Sequence, residues 1–83
     1  MKVSWQRSAL ADVAALMPFP PHRRALKARL EGLLFIGQAR PCASDRYPDA
    51  YFLKFKHWVV MFRVLDETSL DVLAVEYNLG QMI

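Results

Sequence analysis

Cysteine is nearly missing from this sequence. Cys42 stands alone among 83 residues, so no internal disulfide can close and no thiolate-rich metal site can be assembled. Glycine is scarce too, and Gly32, Gly37 and Gly80 are too scattered to form a phosphate-cradling loop. No apolar run approaches the roughly 20 residues of a membrane span. The most apolar N-terminal stretch, ALADVAALMPF, is interrupted by Asp12 and closed by Pro18, Pro20 and Pro21, which excludes the pattern of a secretory signal. Two histidines, His22 and His57, lie 35 positions apart and make no metal site with one cysteine. No metal and no cofactor are expected, and a reducing cytoplasm is the expected setting. Cys42, in the loop-like segment RPCAS, reads as a spectator thiol.

What is present is apolar substance and an uneven charge. The chain is 54% hydrophobic, enough for a packed globule and too much for disorder. Its length allows one domain, residues 1–83, with a thin stability margin at this size. Some of the apolar surface is suited to cover by a partner. Lys2, Arg7 and Asp12 give residues 1–19 a sum of +1. Residues 20–63 carry nine cations against Glu31, Asp45 and Asp49, a sum of +6. Residues 64–83 carry Asp66, Glu67, Asp71 and Glu76, a sum of −4. A basic middle and an acidic end suit a polyanion or an acidic protein segment as partner.

Along the chain, KVSW (Lys2–Trp5) has Val3 and Trp5 on one face and fits a first strand. Ser8 is a candidate N-cap, with a start one or two residues earlier as the alternative. Leu10, Val13, Ala14 and Met17 then recur at helical spacing, and Pro18 ends the helix. Pro21 suits the first turn of a second helix, whose buried stripe is Leu26, Leu30, Leu33 and Leu34 and whose stop is Gly37. Gln38 to Pro48 carries loop signals. Three strands follow. Tyr51, Leu53 and Phe55 share one face of the first, and Phe52, Lys54 and Lys56 the other. Trp58–Leu65 is a nearly continuous apolar run, as in a central strand covered on both faces over part of its length. After the turn DETS, alternation sets Leu70, Val72, Ala74 and Glu76 against Asp71, Leu73, Val75 and Tyr77. Trp5, Trp58 and Phe62 are assigned to the core. The order β-α-α-β-β-β predicts an α+β domain with a helical hairpin packed on a small, mostly antiparallel sheet.

That order, with VSWQRSALADVAAL leading strand into helix, GQARP after the Leu-rich helix and YFLKFKHWVVMFRVLDETSLDVLAVEY at the end, resembles the RelE/ParE superfamily of bacterial toxins. The resemblance implies the toxin half of a type II toxin–antitoxin module, neutralised by a cognate antitoxin that wraps it. It implies one of two targets. One branch cuts messenger RNA in the ribosomal A site; the other poisons DNA gyrase and is no enzyme. For the nuclease branch, Lys54 and Lys56 match the basic residues of the second strand, and Tyr77 is the one available counterpart of the C-terminal catalytic group. Attack of a ribose 2′-OH on phosphate needs a base, cations for the growing charge and an acid for the leaving oxygen. Val59 stands where the family often carries Arg, and NLGQMI holds no Arg, Lys or His. The gyrase branch therefore fits better than the nuclease branch. A non-toxic binding module on the same fold is the third reading.

Arg23, Arg24, Lys27, Lys54, Lys56 and Arg63 are the candidate contacts for nucleic acid or a protein partner. For each, a solvated surface cation is the plain alternative, and on a strand such charges also block edge aggregation. His57 and His22 read as surface histidines, although either imidazole has the chemistry of an acid or base. A Glu76–Tyr77 catalytic pair stands against ordinary strand-end residues.

Overall fold

A computed structural model describes residues 1–33, 40–41 and 49–78. Its elements run β1 (Lys2–Trp5), α1 (Arg7–Leu16), α2 (Pro20–Glu31), β2 (Arg40–Pro41), β3 (Tyr51–Phe55), β4 (Trp58–Asp66) and β5 (Ser69–Tyr77). The sheet order is β1-β5-β4-β3-β2. β1 runs parallel to β5, and the other pairs are antiparallel. Both helices lie on one face, so the α+β architecture expected from the sequence is the observed one. The expected loop over 38–48 contains one addition, the two-residue β2, which pairs with Phe52 and Tyr51. Leu34, Gly37, Cys42 and the chain beyond Asn78 lie outside the described residues.

The central strand β4 explains the apolar run. Val60 and Phe62 join Leu53, Phe55, Leu70, Val72 and Val75 beneath Ala9, Met17, Leu26 and Leu30 of the helices. Val59 and Met61 point to the other face, where they form a second buried cluster with Ala50, Phe52, Leu73 and Ala74. Each such fully buried aliphatic or aromatic side chain contributes about 1.5–3 kcal/mol by leaving water.

β5 departs from simple alternation. Val60 pairs with Val75 and Met61 with Ala74, but Phe62 pairs with Val72, which leaves Leu73 as an extra residue in a β-bulge. Leu73 and Ala74 consequently share the outer cluster, and Val75 returns to the helix side. The expected grouping of Ala74 and Glu76 with Leu70 and Val72 is thus corrected: the bulge shifts the phase by one residue.

The same region fixes α1. β1 ends at Trp5, opposite Val72, so the next polar groups on that edge of β5 need other partners. Gln6 N–H donates to Val72 O at 2.9 Å. Ser8 Oγ donates to Leu73 O at 3.0 Å, and Asp12 Oδ2 accepts from Val75 N–H at 3.0 Å. Ser8 is therefore not the N-cap. The helix starts at Arg7 after Gln6, which makes no side-chain cap, and the Ser8 hydroxyl is spent on the sheet. Ser8 and Asp12 are one turn apart and face β5, which turns Ala9, Val13, Leu16 and Met17 inward. Of the expected stripe, Leu10 is instead 54% exposed, and Ala14 is also on the surface.

α2 ends sooner than Gly37. Gly32 closes it, with its N–H on Ala28 O, and Leu33 N–H tightens the last turn onto Leu30 O at 3.2 Å. Leu33 can then drop into the core. The β4–β5 turn is held by Asp66, whose Oδ1 accepts the Thr68 N–H at 2.8 Å and the Thr68 hydroxyl at 3.1 Å.

Removing the carboxylate in Asp12→Ala strands the Val75 N–H and should cost about 1–3 kcal/mol. Ser8→Ala removes a neutral donor and should cost about 0.5–1.5 kcal/mol. Urea unfolding should show lowered midpoints at unchanged slope for both, with Asp12→Ala the larger. Asp66 gives a pH prediction. The Thr68 N–H, with the Ser69 and Thr68 side chains, holds its carboxyl below the ordinary value of 3.8. Its contribution is complete above that ordinary value and is lost as pH falls through the lowered folded value. Asp66→Asn should flatten the acid limb of the stability profile, measured by thermal melts from pH 6 downward.

Candidate functional site

Three surfaces collect the chemistry-bearing side chains. The first is the outer face of the sheet, away from the helices. Register places Lys54, Val59 and Glu76 in one row across β3, β4 and β5. Arg63 lies opposite Asp71, which in turn lies opposite Ser4 of β1. Lys54 and Arg63 are exposed, whereas Val59 between them is 1% exposed. Val59 and Arg63 are four positions apart on β4, roughly 13 Å along the strand. Buried Asp71 accepts hydrogen bonds from Ser4 Oγ at 2.9 Å and from Gln6 Nε2. Its carboxylate thereby joins β1 to β5.

The second surface is the end of the sheet at the β3–β4 hairpin. Phe55 pairs with Trp58, so Lys56 and His57 form a two-residue turn. Lys56 adopts φ 52°, the left-handed region that costs a side-chain-bearing residue roughly 1–2 kcal/mol. Its Nζ lies 5.8 Å from the centre of the Phe55 ring, and Phe55 belongs to the helix-side core. The expectation that Lys54 and Lys56 share a strand face is corrected here: the turn takes Lys56 out of the strand. Tyr77 pairs with Trp58, and its ring stacks on the indole with centroids 6.3 Å apart. It is on the helix side, while Lys54 and Glu76 are on the outer side. The structure thus divides Lys54, Lys56 and Tyr77 among the outer face, the hairpin tip and the helix side. Glu76 and Tyr77 point to opposite faces, so the adjacent pair does not converge.

Trp58 is the hub of this end. His22 approaches it edge-on at 5.1 Å, and Phe19 in turn meets the His22 ring edge-on at 5.0 Å. His57 lies at 6.1 Å and Phe55 stacks at 6.3 Å. The indole is 5% exposed, and its Nε1–H has no hydrogen-bond partner among the described residues. Periodicity could have shown Phe55 opposite Trp58 across a two-residue turn. It could not show Tyr77 beside them, because the bulge resets the register between.

The third surface is a groove of about 230 Å³ between the helices, lined by Trp5, Leu10, Val13 and Leu26 with Arg23 and Lys27. Arg23 and Lys27 are one helical turn apart and exposed, as is Arg24. Sequence reading selected these cations but missed the groove, because helical spacing placed Leu10 on one stripe with Val13 and Met17 and gave no sign of its exposure. Among the described residues no group of three metal-ligating side chains occurs, and no helix is long and apolar enough to cross a membrane.

A chain in the crystal structure of the toxin–antitoxin complex RelBE2 from Mycobacterium tuberculosis has a similar fold, with a TM-score of 0.64. The likeness covers 92% of this chain and 88% of that one at 20% identity. The two chains therefore share a fold, in keeping with the resemblance of the element order. No protein-family model matches the sequence, and a search of curated proteins gives no match.

The strained turn yields a prediction. Lys56→Gly relieves the left-handed residue and should raise stability by about 0.5–1 kcal/mol after the extra flexibility of glycine is subtracted. Lys56→Val should lower it. Chemical denaturation of the three proteins side by side measures the difference.

Proposed function

We propose that this chain is the toxin of a bacterial type II toxin–antitoxin module, acting in the cytoplasm by poisoning a protein target of the DNA gyrase kind. It is held inactive by a cognate antitoxin. The fold carried over nearly the whole chain supports the toxin assignment. The basic middle and the exposed apolar residues are suited to an acidic antitoxin segment that orders on binding.

The division of Lys54, Lys56 and Tyr77 among three surfaces supports a protein target over phosphate chemistry. In-line cleavage of RNA needs cations and proton-transfer groups aimed at one phosphate. Here the outer face presents Lys54 and Arg63 with buried Val59 in the row between the strands. Those two cations also favour the second reading, a ribosome-dependent endoribonuclease that completes its site on the ribosome. A non-toxic binding module is the third.

Growth after induction from a tightly repressed promoter separates the three. The wild type should arrest growth, coexpression of the antitoxin should restore it, and the double variant Lys54→Ala/Lys56→Ala should still arrest. Loss of toxicity in that variant with its fold intact, judged by circular dichroism, would move the assignment to the nuclease. Unaffected growth with soluble, folded wild-type protein would leave the binding module.

A further inference from the structure

The groove between the helices has an apolar floor, a basic rim and an exposed leucine, and the same molecule displays its chemical complement elsewhere. At the β4–β5 turn, Leu65 is 56% exposed and is followed by Asp66 and Glu67, both on the surface. The end of β4 and the turn thus carry an exposed apolar side chain followed in sequence by two exposed carboxylates. Opposite in kind, the groove offers Trp5, Leu10, Val13 and Leu26 beneath Arg23 and Lys27. Its volume of about 230 Å³ is below the roughly 300–1,000 Å³ of a small-molecule pocket. It is suited to one anchoring side chain rather than a cofactor.

We propose that the helix groove of one copy receives the Leu65–Glu67 turn of a second copy, giving head-to-tail self-association. Leu65 enters the apolar floor, while Asp66 and Glu67 meet Arg23 and Lys27. The contact is between molecules because one chain cannot make it with itself. Lys2 N–H donates to Thr68 O at 2.8 Å, which holds the turn at the start of β1, whereas the groove opens at Trp5, the far end of that strand. The four residues of β1 hold the two about 10 Å apart.

Asp66 is ready for this role. The bonds from Thr68 orient its carboxylate and keep it ionised, so little ordering remains to be done on contact. Because groove and turn are different patches, the interface is heterologous: each added copy leaves a free groove at one end and a free turn at the other. A contact this small belongs to the weak end of protein interfaces. Association is thus expected at roughly 0.1–1 mM protein, with long-range attraction reduced at high salt.

Sedimentation equilibrium across that concentration range tests it. The wild-type average mass should rise with concentration. Leu65→Ser, a surface change that leaves the fold intact by circular dichroism, should weaken association roughly tenfold. Glu67→Lys and Lys27→Glu should each weaken it a few-fold, and a mixture of those two variants should associate again, since the acidic groove of one meets the basic turn of the other. A wild type that stays monomeric throughout overturns the proposal. So does association that is indifferent to Leu65→Ser, or a charge-swapped mixture that recovers nothing. None of these outcomes depends on toxicity.

Discussion

The structure turns on how one edge of β5 is finished. β1 is only four residues long and leaves that edge at Trp5. Beyond it, two β5 backbone groups would face the helix layer without partners, at about 1–3 kcal/mol each. Ser8 and Asp12 satisfy them from α1. A helix side thus completes what a strand began. Because the two residues are one turn apart, the bonds also fix the rotation of α1 about its axis. That rotation sends Ala9 and Val13 inward and Leu10 outward. The exposed position of Leu10 in turn creates the groove against α2. A local problem of backbone satisfaction therefore decides the shape of a surface about one helix diameter away.

The bulge belongs to the same device. By inserting Leu73 it lets two consecutive residues, Leu73 and Ala74, fill the outer cluster, and it presents the Leu73 carbonyl and Val75 N–H to α1. It also resets every position after it. Without it, Tyr77 would face outward with Asp71, and Glu76 would face the helices. With it, Tyr77 stacks on Trp58 and Glu76 joins the row of Lys54 and Val59. One extra residue is what separates Tyr77 from the outer-face cations.

This explains which parts of the fold were legible in the sequence. Element order, the proline corner between the helices and the doubly covered β4 follow from local rules: proline cannot continue a helix, and an apolar run with no alternation has no wet side. The face of β5 and the face of α1 do not. Alternation assumes an unbroken pleat, and a bulge breaks it without a glycine or proline to announce it. Helical spacing in α1 permitted two stripes, and the choice was made by Ser8 and Asp12 through bonds to a strand more than 60 residues away. The same holds for the candidate site. The basic side chains could be named from sequence, but their division among three surfaces depended on a turn at Lys56 and a register shift at Leu73. The Trp58 cluster draws on α2, β3, β4 and β5, and no single stretch of sequence contains it.

The hairpin end bears two local costs at once, a left-handed Lys56 and an indole N–H on Trp58 with no partner among the described residues. They are tolerated together because β4, which leads out of the turn, is deeply buried, with Val59, Val60, Met61 and Phe62 at most 2% exposed. That burial has a chemical consequence. An outer face whose centre is filled by Val59 and Met61 can carry charge only around its margin, where water screens each cation separately. Stabilising a transition-state phosphate calls for the reverse: charges converging in a water-excluded centre, where the low dielectric multiplies their effect. On this sheet Lys54 and Arg63 stand instead at the margin of a buried apolar centre.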